Sequence, residues 1–155
     1  MIKLKDVLKE IGEGVTPYAF KQMQNSPRLI AYTFTTDTND QYIVKFVSGY
    51  SQPDIFNLVF YPGTSIEDED DKIDVITNKG TMFKILSTVV SIVKTLIAKN
   101  KNISGINWIG INSDKPGADT QRDRLYKAYL QKNITQFPNW KILPGSVVTK
   151  LRKTK

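Results

Sequence analysis

Hydrophobic positions recur along this chain with two periods, and the longest regular stretch runs from Thr77 to Asn112. Its first part, TNKGTMFKILSTVVSIVKTLIAKN, spaces Met82, Leu86, Val89, Val93 and Leu96 by three and four residues, the repeat of one helical face. Phe83, Ile85, Val90, Ile92 and Ile97 widen that face past half the circumference, which predicts a helix lying largely buried in the groove of a sheet. Asn78-Lys79-Gly80-Thr81 supplies the opening turn, with Asn78 or Thr81 as N-cap oxygens, and Lys99 and Lys101 sit where the helix dipole favours cations. The second part, Ile103 to Asn112, is apolar on both alternating faces and predicts a central strand covered on two sides.

The remaining pattern surrounds this pair. Leu4, Val7, Leu8 and Ile11 predict a short helix over residues 2–11, ended by Gly12 and Gly14. Tyr18 to Met23 reads as a strand, with Asn25-Ser26-Pro27 as a turn. Leu29–Thr36 and Gln41–Ser48 are β-branched and aromatic runs separated by Asp37-Thr38-Asn39-Asp40, a hairpin signal. Ile30, Tyr32 and Phe34 share one face of the first run; Tyr42, Val44 and Phe46 share one face of the second. Ile55 to Tyr61 predicts another strand, ended by Pro62-Gly63. A helix over 120–134, capped by Asp119 or Thr120, aligns Leu125, Tyr126, Tyr129, Leu130 and Ile134. Trp140–Leu143 and Ser146–Leu151, flanking Pro144-Gly145, predict a terminal hairpin. The fold class is therefore α/β or α+β: a single domain over 1–150 with a basic tail at 151–155.

Charge and composition narrow the chemistry. The chain has no Cys and no His, which excludes disulfides, thiol or imidazole catalysis and nearly all structural zinc sites. Carboxylate, Lys, Tyr, Ser and Thr chemistry remains, or binding alone. Residues 65–74 carry six acids and one Lys, and predict an exposed loop. Glu67, Glu69 and Asp71 could instead hold a hard cation, but that segment lacks the Gly and bidentate Glu of a calcium loop. Residues 141–155 carry five basic residues and no acid, a tail for solubility or for contact with nucleic acid. MIKLKDVLKEIG has no continuous apolar core of a signal peptide, and no run approaches the ~20 apolar residues that span a bilayer. The expectation is a soluble cytoplasmic protein without membrane contact.

Gly80-Thr81-Met82-Phe83 opening a helix that continues Leu86-Ser87-Thr88-Val89, then the buried strand, then Asp123-Arg124-Leu125-Tyr126 on the next helix, together resemble the GNAT N-acetyltransferase fold. More narrowly, the chain is similar to small tailed-phage proteins of that fold. The resemblance implies a mixed, mostly antiparallel sheet of about six or seven strands with helices on both faces. It also implies acetyl-CoA as cofactor, its pyrophosphate held by backbone N–H groups of a Gln/Arg-x-x-Gly-x-Gly/Ala turn at the helix N-terminus. Here that window is Thr77 to Met82, so the implied cofactor-binding residues are Asn78, Lys79, Gly80 and Thr81. Gly80 keeps the family residue, whereas Thr77 replaces the Gln or Arg and Met82 replaces a small residue. Tyr126 matches the family's general acid, and it also belongs to the apolar stripe of its helix. The base would come from Glu67, Asp68, Glu69 or another acid near the strand Ile55–Tyr61, with no spacing singling one out; Glu67 stands for the group.

Three accounts of function follow. The first is a phage accessory protein with an atypical or degenerate acyl-CoA-dependent N-acyltransferase site, whose acidic loop attracts an amine substrate. The second is a non-enzymatic phage binding protein on the same scaffold, a host-factor or defence inhibitor or a virion component with a protein partner. The third is nonspecific nucleic-acid binding through the basic tail.

Overall fold

Alternation of apolar and polar residues builds a meander that the long helix then covers. The computed structural model describes residues 16–66, 79–108, 121–143 and 149–154, with the backbone alone for 79–82 and 121–126. Its elements are β1 (Phe20–Ser26), β2 (Leu29–Thr35), β3 (Gln41–Ser48), β4 (Ile55–Pro62), α1 (Lys79–Lys99), β5 (Gly105–Trp108), α2 (Gln121–Lys132), a 3₁₀ turn (Ile134–Gln136), β6 (Trp140–Leu143) and β7 (Thr149–Lys153). The strands form one seven-stranded sheet in the order β1-β2-β3-β4-β5-β7-β6. All neighbours are antiparallel except β4 and β5, which are parallel. The architecture is mixed α+β. Among the described residues, no helix is long and apolar enough to cross a membrane.

The hairpin between β2 and β3 closes where the sequence predicts. Thr36 N–H donates to Asp40 O and Asn39 N–H to Thr36 O, each at 2.9 Å, and Asn39 takes a left-handed φ of 65°, which Asn tolerates better than most residues. The faces also agree with the pattern. Ile30, Tyr32, Phe34, Val44, Phe46 and Leu58 form one apolar surface, and Leu86, Val89, Val93 and Leu96 of α1 pack into the same core. The widening residues Phe83, Ile85, Val90 and Ile92 are buried too. Thr88 is a fully buried polar residue within this helix and is satisfied twice. Its hydroxyl donates to Lys84 O at 2.7 Å and accepts from Tyr18 N–H at 2.9 Å, tying the chain before β1 to α1.

Several boundaries differ from the pattern, each for a local reason. The helix begins at Lys79, so Thr81 lies inside it and is not the N-cap; Asn78 lies outside the described residues. β1 runs to Ser26 because a bulge between Gln22 and Gln24 absorbs one residue and lets pairing resume. β5 spans only Gly105–Trp108 of the predicted Ile103–Asn112, and residues 109–112 lie outside the described residues. It is interior in the sheet. Its core face holds Ile106 and Trp108, but its second face is polar: Asn107 Nδ2 donates to Asn57 Oδ1 at 3.0 Å. Ile134 belongs to the 3₁₀ turn rather than to α2, because Asn133 N–H reaches both Tyr129 O and Leu130 O and tightens the helix end. The basic run from 151, expected as a tail, continues β7 to Lys153. Leu151 is buried in that strand and pairs with Ile106 and Ile142 on either side. The predicted helix over 2–11 and the acidic stretch from Glu67 to Asp74 lie outside the described residues.

At the start of the parallel pair, Asp54 O accepts from Ser104 N–H at 2.9 Å, and the Ser104 hydroxyl donates to the Asp54 carboxylate. That hydroxyl bond is the main reason the Asp54 carboxyl sits below its ordinary range, with its own backbone bond and the Arg152 charge acting the same way. A lowered folded-state pKa stabilises the fold above the unfolded value, and the contribution is lost as pH falls through the folded value. We therefore expect Asp54→Asn to be less stable than the parent at neutral pH, with the gap closing in acid; urea titrations across pH would show a constant gap if this is wrong. Leu86→Ala, which empties a fully buried site between α1 and the sheet, is expected to lower unfolding free energy by about 2–5 kcal/mol in the same assay.

Candidate functional site

Parallel strands cannot be joined by a tight turn, so the chain returns from β4 to β5 through α1. The N-terminal turn of α1 therefore stands at the carboxyl ends of β4 and β5. The β4–β5 ladder stops at Leu58 and Trp108, while β4 continues to Pro62 with only β3 beside it among the described strands. The last four residues of β4, the end of β5 and the first turn of α1 are thus collected at one end of the sheet. On the core side the Phe60 and Trp108 rings meet edge to face, with centroids 6.4 Å apart. On the other side the Tyr61 hydroxyl donates to Ile66 O at 2.8 Å, anchoring the chain that leaves β4, and Lys45 Nζ lies 5.7 Å from the Tyr61 ring.

Aromatic stacking builds the wall beside the next turn of α1. Tyr18, Phe34 and Tyr42 stack in succession, with centroids 5.8 and 5.5 Å apart. Lys84 Nζ caps this stack 4.5 Å from the Tyr18 ring and pairs with the Asp37 carboxylate at 3.5 Å. The Lys84 charge is therefore engaged on this side and does not act as a clamp at the α1 terminus.

α2 crosses the same end. Burial raises the pKa of Tyr129, while a hydrogen bond with the Ser87 side chain opposes the rise, so Tyr129 stays protonated well above neutral pH. Further along, Lys94 Nζ donates to Gln136 Oε1 at 3.0 Å. Tyr129 meets Ser87 and Gln136 meets Lys94, so the two segments advance in the same direction. The α2 backbone at Tyr126, one turn before Tyr129, accordingly lies toward the N-terminal end of α1.

Of the sequence-predicted site residues, Lys79, Gly80 and Thr81 occupy the first turn of α1, and Tyr126 lies on α2, its side chain beyond the described set. Glu67 and Asn78 lie outside the described residues. A first turn leaves its amides without intrahelical acceptors, and this one contains no acidic residue, so its backbone and charge suit an anionic group. Tyr129 and Ser87 were not singled out by pattern. Tyr129 reads as one more apolar-stripe residue, and only its spacing of exactly one turn from Tyr126 could have placed both rings on the same side.

A search among curated proteins and a search among solved structures each find no significant match. Residues 15–153 match a family of unknown function, DUF6934. With nearly the whole chain inside that match, the protein belongs to the DUF6934 family.

Proposed function

We propose that this chain is a phage accessory protein of GNAT-like architecture, with an atypical acyl-CoA site at the N-terminal turn of α1. The observation that carries the reading is the one parallel pair among the described strands, joined through a buried helix that starts toward the end of β4, where β4 pairs with β3 alone among those strands. Ligands in sheets of this kind bind beyond the carboxyl ends of parallel strands, where helix amides are free to receive anions. The reading also implies helices on both faces of the sheet, whereas α1 and α2 contribute to one core. Ala31 and Ile43, both fully buried on the face away from α1, support cover on that side as well.

In this reading the amides of Lys79, Gly80 and Thr81, with Asn78 before them, hold the cofactor's pyrophosphate. Bulky Met82 in place of a small residue limits how closely the backbone is approached, which is why the site is atypical. When bound, acetyl-CoA would supply an activated acyl thioester. Tyr126 would hold the proton that the leaving thiolate needs, and Glu67 would accept one from the amine substrate. Tyr129, bonded to Ser87, keeps α2 seated on α1 so that Tyr126 retains its place.

Isothermal titration with acetyl-CoA, run beside an acyl-transfer assay with a panel of small amines, tests this. Binding at millimolar ligand is expected, and Tyr126→Phe should lower turnover about 100-fold while leaving the binding heat unchanged. No heat from the parent protein at millimolar ligand overturns the proposal. Heat without turnover would favour the same scaffold acting as a non-enzymatic binding protein.

A further inference from the structure

We propose that the sheet surface formed by β4, β5, β7 and β6 on the side away from α1 binds the sugar–phosphate backbone of a nucleic acid. This surface is distinct from the α1 terminus, and the inference does not rest on the acyl-CoA reading. Alternation fixes what it carries. Leu58, Ile106 and Leu151 point into the core, so Asn57, Asn107, Lys150 and Arg152 occupy the opposite side. On β6 Trp140 and Ile142 pack with the core, which leaves Lys141 and Leu143 outward. Registration then aligns two rows. One runs Asn57, Asn107, Lys150, Leu143, and the other runs Ile55, Gly105, Arg152, Lys141. The rows cross three strand spacings, roughly 14 Å.

Three features mark this surface as one that receives an anion. Lys141 and Arg152 are direct cross-strand partners, with Lys150 two residues along the same strand, and like charges directly opposite destabilise a sheet. A phosphate would relieve that repulsion. Secondly, Gly105 leaves a depression in which the Arg152 side chain lies flat. A methyl group there would come within 3.0 Å of Arg152 Cδ and Nη1, so the absence of a side chain lets the guanidinium rest on the sheet. Thirdly, none of the described positions in the two rows is acidic. The carboxylate at the rim, Asp54, offsets part of the Arg152 charge, and neither row gives Lys141 or Lys150 an acidic neighbour.

The residue types favour nucleic acid over an acidic protein. Lys, Arg and Asn are side chains that contact phosphate and sugar. Protein interfaces centre on aromatic, Met and Arg anchors and are depleted in Lys, and no aromatic or Met stands in these rows. Without an aromatic platform, bases are not stacked, so recognition is indifferent to sequence. Asn57, exposed, spends its oxygen on the Asn107 amide, and its own Nδ2 donors have no other partner among the described residues.

Fluorescence anisotropy of the full chain with labelled 20-residue oligonucleotides of mixed sequence tests this, with single-stranded and duplex DNA and RNA as separate arms. Binding is expected in low salt, with a log–log salt slope of about −2 to −3, the value for three phosphate contacts. Lys141→Glu combined with Lys150→Glu should weaken it at least about 10-fold and flatten the slope. Lys99→Glu combined with Lys132→Glu makes the same charge change on the two helices and should leave affinity within about twofold. Far-ultraviolet melting verifies that both double variants are folded. Absence of binding in low salt overturns the proposal, as does an equal loss in the two double variants. Polyglutamate that binds the parent as tightly as the oligonucleotides, and is lost in the same variant, also overturns it and assigns the surface to an acidic protein.

Discussion

The parallel pairing of β4 with β5 is the constraint from which the rest of the molecule follows. Every other neighbour in the sheet is antiparallel and can be reached by a short connection. A parallel neighbour demands that the chain travel back along the sheet, and α1, at 21 residues, is the segment that makes the return. A crossover helix lies against the sheet over its whole length, which explains why apolar residues cover more than half its circumference. Direction is fixed as well. The helix must start where β4 ends, so its unpaired amides, the chain leaving Tyr61 and the end of β5 meet without any further device.

Burial of α1 decides where chemistry can lie. From Phe83 to Leu96 its inward positions are consumed by packing, and its one fully buried hydroxyl, on Thr88, is used up by Lys84 and by the Tyr18 amide. Lys84 is held by Asp37 and the Tyr18 ring. The polar resources that remain are the terminal amides of the helix and the side of the sheet turned away from it. The Tyr129–Ser87 bond has a structural consequence of its own: Tyr129 is buried, so a slip of α2 along α1 would take its hydroxyl away from this partner.

Much of this was readable before any coordinates. The period of α1, the alternation in β2 and β3 and the polar loop between them are properties that local sequence imposes, because burying one face of a helix or strand requires that spacing. The places where the pattern misleads share a cause: the deciding interaction is distant in sequence. The end of β7 reads as a basic tail because Arg152 and Lys153 follow the predicted strand Ser146–Leu151. Its alternation of Thr149 and Leu151 inward has meaning only once β5 and β6 lie on either side. β5 looks apolar on both faces, yet Asn107 finds its partner 50 residues away in Asn57. The candidate site was legible as a turn, Lys79 to Thr81, and as a Tyr-bearing helix. That Tyr129 meets α1 was not legible, because the contact depends on how α2 is rotated about its axis. Ser87 makes that rotation visible for Tyr129.

Charge is partitioned along the same lines. The chain carries a net charge of +7 but concentrates six acids in 65–74, a segment whose first two residues, Ser65-Ile66, are held by the Tyr61 hydroxyl at the α1-terminal end of the sheet. Basic residues of β6 and β7 gather farther along the same side of the sheet, with Arg152 laid over Gly105 near the opposite, Asp54 end of the parallel pair. The sheet thus presents two polar settings, the first-turn amides of α1 at one end and the outward Lys and Arg of β6 and β7 toward the other. Strand β4 belongs to both: its carboxyl end joins the α1 terminus, and Asn57 near its start joins the basic rows.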